Sequence, residues 1–284
     1  MNDFAFDLNL ILNVLEISSN DLARETGIKP ASISNWLNGK LEPDLRSKED
    51  IYEFAFENGL LLNESFEEPY MKLCRNNNMQ LLFHGAKHGL DNNPDLNHSK
   101  QFNDFGKGFY CGETYRQPLM YVSGYSDSVV YSFGLKTKGL NIAEYDIDQN
   151  WALTIAYFRG SLKEFEKSKK LKEILNKCKN ADVIIAPIAD NRMFDIIDEF
   201  IEGRISDEAC CYGLASLNLG KQYVLKSKKA LKNLGLLREF YVCNKEKKYC
   251  LEEAEKLRKT KMKEIRNFRS EHRNGRYIEE ILYE

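Results

Sequence analysis

The sequence predicts an α+β protein that is preceded by an all-helical N-terminal module. Across residues 4–62, apolar side chains recur at the three-to-four-residue spacing of helices that bury one face. After residue 80, short apolar runs rich in β-branched residues alternate with helical segments, which is the pattern of a mixed sheet with helices around it. After residue 236 the chain is strongly charged and again helical in pattern. A length of 284 residues leaves room for more than one such unit.

The composition favours a folded cytoplasmic protein and excludes several function classes. No charged-then-apolar leader and no 18-residue apolar run is present, so we expect neither secretion nor contact with a membrane. The seven cysteines lack the paired spacing of a zinc site, which predicts reduced thiols. The four histidines lack spaced carboxylate partners, so we expect no metal. Phosphate-binding, Rossmann, zinc-protease and serine-hydrolase motifs are also missing.

Within the N-terminal module, the stretch LARETGIKPASISNWLNGKLEP predicts two short helices around a tight turn. Leu22 opens the first helix, Gly27 supplies the turn, and the second helix runs from Pro30 to Leu37 before Gly39 ends it. The stretch resembles the helix-turn-helix of the phage-repressor-like DNA-binding family, which implies a domain over residues 1–66. The resemblance implies that DNA is contacted by the following residues: Lys29, Ser32, Ser34, Asn35 and Lys40.

The charge of this module opposes that interpretation. Residues 1–64 carry 5 Lys and Arg against 12 Asp and Glu, a net charge of −7, whereas phosphate contacts are made by basic side chains. A helical module that docks a protein or dimerises therefore stays open as the alternative. Residues 67–79, with Pro69 and the run Asn76–Asn78, are predicted to be a linker.

Residues 80–236 are predicted to form the α+β domain, and residues 237–284 a charged helical extension. The predicted strands are Leu81–Phe83, Ser128–Leu135, Ile142–Ile147, Asp182–Asp190 and Gln222–Leu225. The predicted helices are Thr114–Tyr125, Trp151–Phe158, Leu162–Cys178, Met193–Ile201, Glu208–Leu214 and Ser227–Leu234. Residues 221–284 carry 18 Lys and Arg against 10 Asp and Glu. The extension is predicted to be an exposed amphipathic helix that is solvated or binds a partner, and contact with nucleic acid through its basic face stays open.

One stretch concentrates glycine, aromatic residues and a lone imidazole. It opens with LFHGA, which carries His84, and closes with DFGKGFYCGETYRQPLMYV, which carries Tyr110 and Tyr121. Each marker alone has a structural explanation: a histidine at a strand end, glycines in an ordinary turn, and tyrosines in a core.

The combination of LFHG, FGKGFYCGETYRQPLMY, DVIIAPIADNRMF and GKQYVLKS resembles the catalytic domain of ADP-ribosyltransferases of the poly-ADP-ribose-polymerase and diphtheria-toxin type. It is more similar still to a bacterial domain family of unknown function that is related to them, from about Leu81 to Leu234. The resemblance implies a split antiparallel β core with surrounding helices. It also implies that NAD binds as the donor of ADP-ribose, with no metal.

The resemblance also implies roles for individual residues. His84 would bond the adenine-side ribose, Gly85 would clamp the nicotinamide amide with its backbone, and Tyr110 and Tyr121 would enclose the nicotinamide ring. The loop over the cofactor would comprise Phe105, Gly106 and Lys107.

Gln222 departs from the family pattern, which has a glutamate before the tyrosine of the last strand. Glutamine can bond a ribose hydroxyl but cannot act as a general base, so polymer formation is disfavoured and transfer of a single ADP-ribose is expected. Asp190 is the predicted substitute carboxylate, and Arg192 a pyrophosphate partner.

The sequence thus predicts an NAD-dependent mono-ADP-ribosyltransferase that modifies a protein or a nucleic acid. Fused to a repressor-like module, such an enzyme is expected to be a toxin or phage-defence effector that has an antitoxin or another regulatory protein as partner. Two alternatives stay open. One is a non-catalytic DNA-binding regulator that senses NAD or ADP-ribose, which Gln222 favours, and the other is an NAD glycohydrolase.

Overall fold

The computed structural model of the chain describes residues 3–90, 94–97, 99–189, 191–215, 220–268 and 275–283, with only the backbone of residues 3, 191, 192 and 257–268. The chain begins with a region that is helical throughout, as predicted. Its helices are α1 (Asp3–Val14), α2 (Ser19–Thr26), α3 (Pro30–Leu37), α4 (Leu45–Glu57) and, after a 3₁₀ turn at Glu64–Phe66, α5 (Glu67–Asn76).

Local chemistry fixes the ends of α2 and α3. The hydroxyl of Ser18 accepts from the backbone N–H of Asp21 at 3.1 Å, while the carboxylate of Asp21 accepts from the backbone of Ser18, so a capping box begins α2. Gly27 ends α2 at φ +71°, a conformation that favours glycine, and Pro30 begins α3. The helix predicted over Pro30–Leu37 is therefore confirmed, and its buried Trp36 packs edge-on against Phe4, with ring centroids 5.9 Å apart.

Residues 67–79, predicted to be a linker, contain α5. Pro69 falls in the first turn of this helix, where a missing backbone N–H costs no hydrogen bond. Cys74 is buried beneath the sheet, and Asn78 takes φ +53° where the chain turns into the first strand. The segment is thus packed against the following domain.

Within the described residues, seven strands form one mixed sheet. In chain order they are β1 (Gln80–Ala86), β2 (Phe109–Gly112), β3 (Val129–Leu135), β4 (Ile142–Glu144), β5 (Val183–Pro187), β6 (Lys221–Leu225) and β7 (Leu234–Phe240). Their order across the sheet is β4-β5-β6-β2-β1-β3-β7, and all neighbours are antiparallel except β4 and β5. The remaining helices are α6 (Arg116–Val122), α7 (Gln149–Arg159), α8 (Lys169–Lys179), α9 (Asn191–Ile201), α10 (Asp207–Ala215), α11 (Lys228–Lys232), α12 (Asn244–Phe268) and α13 (Ile278–Leu282). The predicted α+β class is confirmed.

Two predicted helices need correction, and two strands were missed. The predicted helix Leu162–Cys178 is a 3₁₀ turn at Lys163–Phe165 followed by α8, because the hydroxyl of Ser168 caps a new helix start. The last predicted helix ends at Lys232, since Leu234 already begins β7. β2 and β7 were not predicted: β2 has only four residues, and β7 leads directly into the charged region.

The C-terminal extension is not simply an exposed helix. Cys243, Glu246 and Cys250 are buried where α12 begins, against α4 and α6. At the other end, Ile278 and Ile281 on α13 complete the core beside α8. Pairs of apolar residues at helical spacing, rather than the net charge, decide which faces of these helices are buried.

One apolar cluster joins the N-terminal module to the sheet. It includes Leu8 of α1, Phe83 of β1 and Phe240 of β7. At its centre Asp7 receives two 2.5 Å hydrogen bonds from one guanidinium nitrogen of Arg238, and both side chains are almost fully buried. The helical module therefore shares a core with the sheet.

Candidate functional site

The strands that carry the predicted site residues are neighbours in the middle of the sheet. β1 carries His84, β2 carries Tyr110, β6 carries Gln222, and the order β6-β2-β1 places them side by side. In this register Phe83 lies opposite Gly112, which lies opposite Gln222. Residues separated by up to 138 positions in the chain thus meet in one region.

The sheet opens between β1 and β2 at His84. β1 pairs with β3 along all seven of its residues, but in the described chain it pairs with β2 at Phe83 and Gly112 only. Beyond that pair the imidazole of His84 spans the gap, with Nδ1 2.7 Å from the carbonyl oxygen of Tyr110. The ring stacks on Phe109, with centroids 4.1 Å apart. A side chain thus replaces the ladder hydrogen bonds at this point.

The chemistry of this contact fixes the state of the imidazole. A carbonyl oxygen only accepts, so Nδ1 carries the proton and donates a hydrogen bond to the backbone carbonyl of Tyr110. Burial lowers the pKa of His84 to about 4, although the hydrogen bond to Tyr110 acts in the opposite direction. At neutral pH the ring is therefore uncharged, and Nε2 is an acceptor. Among the described residues no protein group bonds Nε2, so it can receive a hydroxyl donor.

The pleat separates the predicted residues into two sets. His84 lies on the face that also carries Phe109 and Cys111, whereas Tyr110 and Gln222 lie on the opposite face. Because side chains alternate along a strand, no ligand lying flat on one face can contact all three. A shared ligand has to lie in the opening between β1 and β2.

Tyr110 holds the glycine-rich loop. Its hydroxyl donates to the carbonyl of Gly106 at 2.6 Å and accepts from the backbone N–H of Phe105 at 3.1 Å, and burial raises its pKa. The ammonium of Lys226 donates to the carbonyls of Phe105, at 2.5 Å, and of Lys107. Side chains thus bond three successive loop carbonyls, so contacts within the protein hold the conformation of the loop without a ligand.

Gln222 is buried in a polar cluster on the same face. Its Nε2 donates to Oδ2 of Asp104 at 2.8 Å and to the carbonyl of Pro187 at 3.0 Å. Both partners are pure acceptors, so the amide nitrogen must face them and Oε1 faces away. The other carboxylate oxygen of Asp104 accepts from Arg159 at 2.8 Å, and the guanidinium of Arg159 covers the ring of Phe194. A carboxylate therefore lies directly behind the amide.

Helix α6 closes the other side of this face. A side chain at Gly85 would approach the carbonyl oxygen of Pro118 to 2.8 Å, so glycine permits the close contact between strand and helix. Tyr121, on the same helix, is 65% exposed, and its ring lies 5.7 Å from the ammonium of Lys87. In the part of the chain that the structure describes, the rings of Tyr121 and Tyr110 do not contact each other.

Three contributors were not predicted. Asp104 stands directly before the FGKG sequence, so its place in DFGKGFY was an available signal. Lys226 directly follows the predicted strand Gln222–Leu225, so its position was also an available signal. Arg159 ends a helix with no motif around it, and nothing local points to its role.

Two predicted residues cannot be placed. Asp190 lies outside the described residues, and so does the side chain of Arg192, whose backbone belongs to α9.

The predicted DNA-facing residues lie on and around α3. Lys29, Ser34 and Lys40 are exposed, and Ser32 and Asn35 are half-buried. Ile33 and Trp36 on the same helix are buried in the core of the module.

Among the described residues, no group of three or more His, Cys, Asp or Glu side chains could hold a metal ion. Within the same ranges, the length and apolar character needed to cross a bilayer are found in no helix.

A family model described as "Protein of unknown function (DUF3990)" matches residues 80–236, more than half of the chain. The match starts at the first residue of β1 and ends within β7. No curated protein and no solved structure matches the chain. The predicted similarity to a domain family of unknown function is thereby confirmed.

Proposed function

The chain belongs to the DUF3990 family, and from its site we propose that it is an NAD-dependent mono-ADP-ribosyltransferase. One observation carries the proposal: the sheet opens between β1 and β2 at a neutral histidine whose Nε2 can accept a hydroxyl hydrogen bond. A ribose ring supplies such a hydroxyl. The prebuilt loop at Phe105–Lys107 and the amide of Gln222 lie beside this opening.

The family resemblance suggests a task for each residue of the site. His84 would accept from the adenine-side ribose, and the backbone of Gly85 would bond the carboxamide of nicotinamide. Tyr110 keeps the loop in place through its hydroxyl, and its ring would stack on the pyridinium. Tyr121, exposed on α6, would close over the same ring. Asp190 keeps its proposed role as the substitute carboxylate, and Arg192 its proposed role as the partner of the pyrophosphate.

Gln222 decides the type of transfer. Its Oε1 can orient a ribose hydroxyl, while its nitrogen is already bonded to Asp104 and Pro187. An amide neither removes a proton nor supplies a negative charge, so the acceptor must bring its own nucleophile. Transfer of a single ADP-ribose to a protein or nucleic acid follows from this.

The test uses NAD labelled in its adenylate part. The full-length protein is incubated with the label and cell lysate, and both released nicotinamide and label on macromolecules are measured. We expect label on an acceptor, a loss of at least tenfold with His84→Ala, and no change with Gln80→Ala, a control on the same strand. Nicotinamide release without label on any acceptor would instead identify a glycohydrolase.

The competing function is a regulator that binds NAD or ADP-ribose without turnover. Gln222 favours it, because the position that a glutamate occupies in the polymerases here carries no charge. Binding of NAD by calorimetry with neither nicotinamide release nor label would favour this alternative and refute the transferase.

We also propose that the N-terminal module adapts the enzyme to a toxin or phage-defence role, either by binding DNA through α3 or by docking an antitoxin. The exposed Lys29 and Lys40 support DNA contact, and the acidic charge of the module supports a protein partner. Operator binding retained after Asn35→Ala with Lys40→Ala would show that DNA contacts a different surface.

A further inference from the structure

A surface cavity lies on the outer side of the FGKG loop. It has a volume of about 550 Å³ and is lined by Phe102, Gly106, Lys107, Tyr157, Phe158 and Lys163, among others. This is the size of a site for a nucleoside-sized group. Because Gly106 and Lys107 also bound the proposed donor site, whatever fills the cavity lies next to the donor.

Aromatic rings are the first chemical feature of this cavity. Phe102 is 60% exposed and Tyr157 is 36% exposed, although both are large rings that a core would normally cover. Phe158 lies edge-on to Tyr157, with centroids 5.4 Å apart, and also packs on Gly106. Exposed rings around a concave surface offer flat faces on which a base can stack, and such stacking tolerates any base.

Lysines are the second feature. Residues 163–179, which run from the cavity along α8, contain seven lysines and three glutamates. All of these lysines are exposed except Lys170, which is half-buried. Within the described residues none of the seven forms an ion pair, and Glu166 is the one acidic side chain in the cavity wall. Net positive charge that continues from an aromatic cavity is a combination that binds a nucleic-acid strand.

We propose that the acceptor is a single-stranded nucleic acid, with a base held among Phe102, Tyr157 and Phe158 and its backbone along the lysines of α8. The acceptor role rests on the proposed function. In the transfer, the bond between the nicotinamide nitrogen and the ribose breaks and nicotinamide leaves with the electron pair. A nitrogen or oxygen of the nucleic acid bonds the ribose carbon and releases its proton to water.

The experiment measures fluorescence anisotropy of a labelled 12-nucleotide single strand, as RNA and as DNA, on the full-length protein without NAD. One double variant on α8 carries Lys169→Glu and Lys172→Glu. It is compared with a double variant that makes the same charge change on α5, through Lys72→Glu and Arg75→Glu. We expect at least tenfold weaker binding for the α8 pair and less than twofold change for the α5 pair. The slope of log K against log salt should become shallower by about 1.4 for two lost phosphate contacts. Phe102→Ala should also weaken binding about tenfold.

Equal losses in both pairs, no binding of either strand, or tighter binding of a polyglutamate peptide would each overturn this inference. The two proposals fail separately. Nicotinamide release without strand binding counts against the nucleic-acid acceptor alone. Strand binding that depends on α8 without nicotinamide release counts against the transferase, and with it against the acceptor role, but leaves the strand-binding site in place. Melting temperatures of all variants identify any that lose the fold.

Discussion

Gln222→Glu is the substitution that the resemblance to the polymerases suggests, and the structure predicts that it damages the protein. In the chain, Nε2 of Gln222 donates two hydrogen bonds, to Oδ2 of Asp104 and to the carbonyl of Pro187. A carboxylate has no hydrogen to donate. The introduced group would therefore face one carboxylate and one carbonyl oxygen in a buried site.

The expected cost follows from these two contacts. A hydrogen bond to a charged acceptor contributes about 1.5–3 kcal/mol and one to a neutral carbonyl about 0.5–1.5 kcal/mol. The free energy of unfolding should therefore fall by about 2–4 kcal/mol at pH 7.5. The repulsion raises the pKa of the introduced carboxyl, and protonation restores one donor, so the loss should be smaller at pH 5 and grow as the pH rises.

Urea denaturation at both pH values measures the loss. Lys221→Glu is the matched control, because it adds a carboxylate at the exposed neighbouring position and should change stability by less than about 0.5 kcal/mol. Asp104→Asn combined with Gln222→Glu exchanges the amide and the carboxylate. The pair should be more stable, by at least about 1 kcal/mol, than the sum of the single changes predicts. A Gln222→Glu protein as stable as the parent at pH 7.5 would refute the cluster as described.

Three further changes test other contacts. Burial raises the pKa of Glu246 to about 7, above the 4.5 of a free side chain; the parent should lose up to about 3 kcal/mol of stability as the pH rises from 5 to 8. Urea denaturation of Glu246→Gln across that range should lack this loss, and equal slopes would contradict it. Gly85→Ala places a methyl group 2.8 Å from the carbonyl of Pro118 and should cost about 1–3 kcal/mol by thermal unfolding; an unchanged melting temperature would place α6 elsewhere. Asp7→Asn leaves Arg238 buried without its anion and should cost about 3–5 kcal/mol by the same method, whereas a loss below 1 kcal/mol would mean that water reaches the pair.

A structural feature could be predicted from the sequence when the residues that cause it lie close together in the chain. The helix Pro30–Leu37 was predicted to the residue because Gly27, Pro30 and Gly39, which mark its ends, lie close to it in the chain. The strand Leu234–Phe240 was missed because its identity comes from pairing with β3, about a hundred residues earlier. Charge along the chain marked residues after 236 as an exposed tail, but the burial of Arg238 is decided by Asp7, 231 positions away.

The candidate site divides in the same way. His84, Tyr110 and Gln222 stand in recognisable motifs, and their strands do lie side by side. The motifs contain no information on the pleat, which turns His84 away from the other two. They also do not show that Gln222 bonds a residue 118 positions earlier. Contacts of that separation arise from the sheet order, which no short pattern encodes.

The cluster around Gln222 bears directly on the proposed chemistry. Two acceptors that require a donor at this position select an amide over a carboxylate, so the glutamine fits its surroundings rather than replacing a better residue. The negative charge that the polymerases place at this position lies instead on Asp104, which accepts a hydrogen bond from Gln222, and Arg159 neutralises it. Positive charge developing on a ribose would therefore be stabilised by the dipole of the Gln222 oxygen and by backbone carbonyls. Dipoles stabilise charge only when they are held in place, and the bonds to Asp104 and Pro187 hold this one.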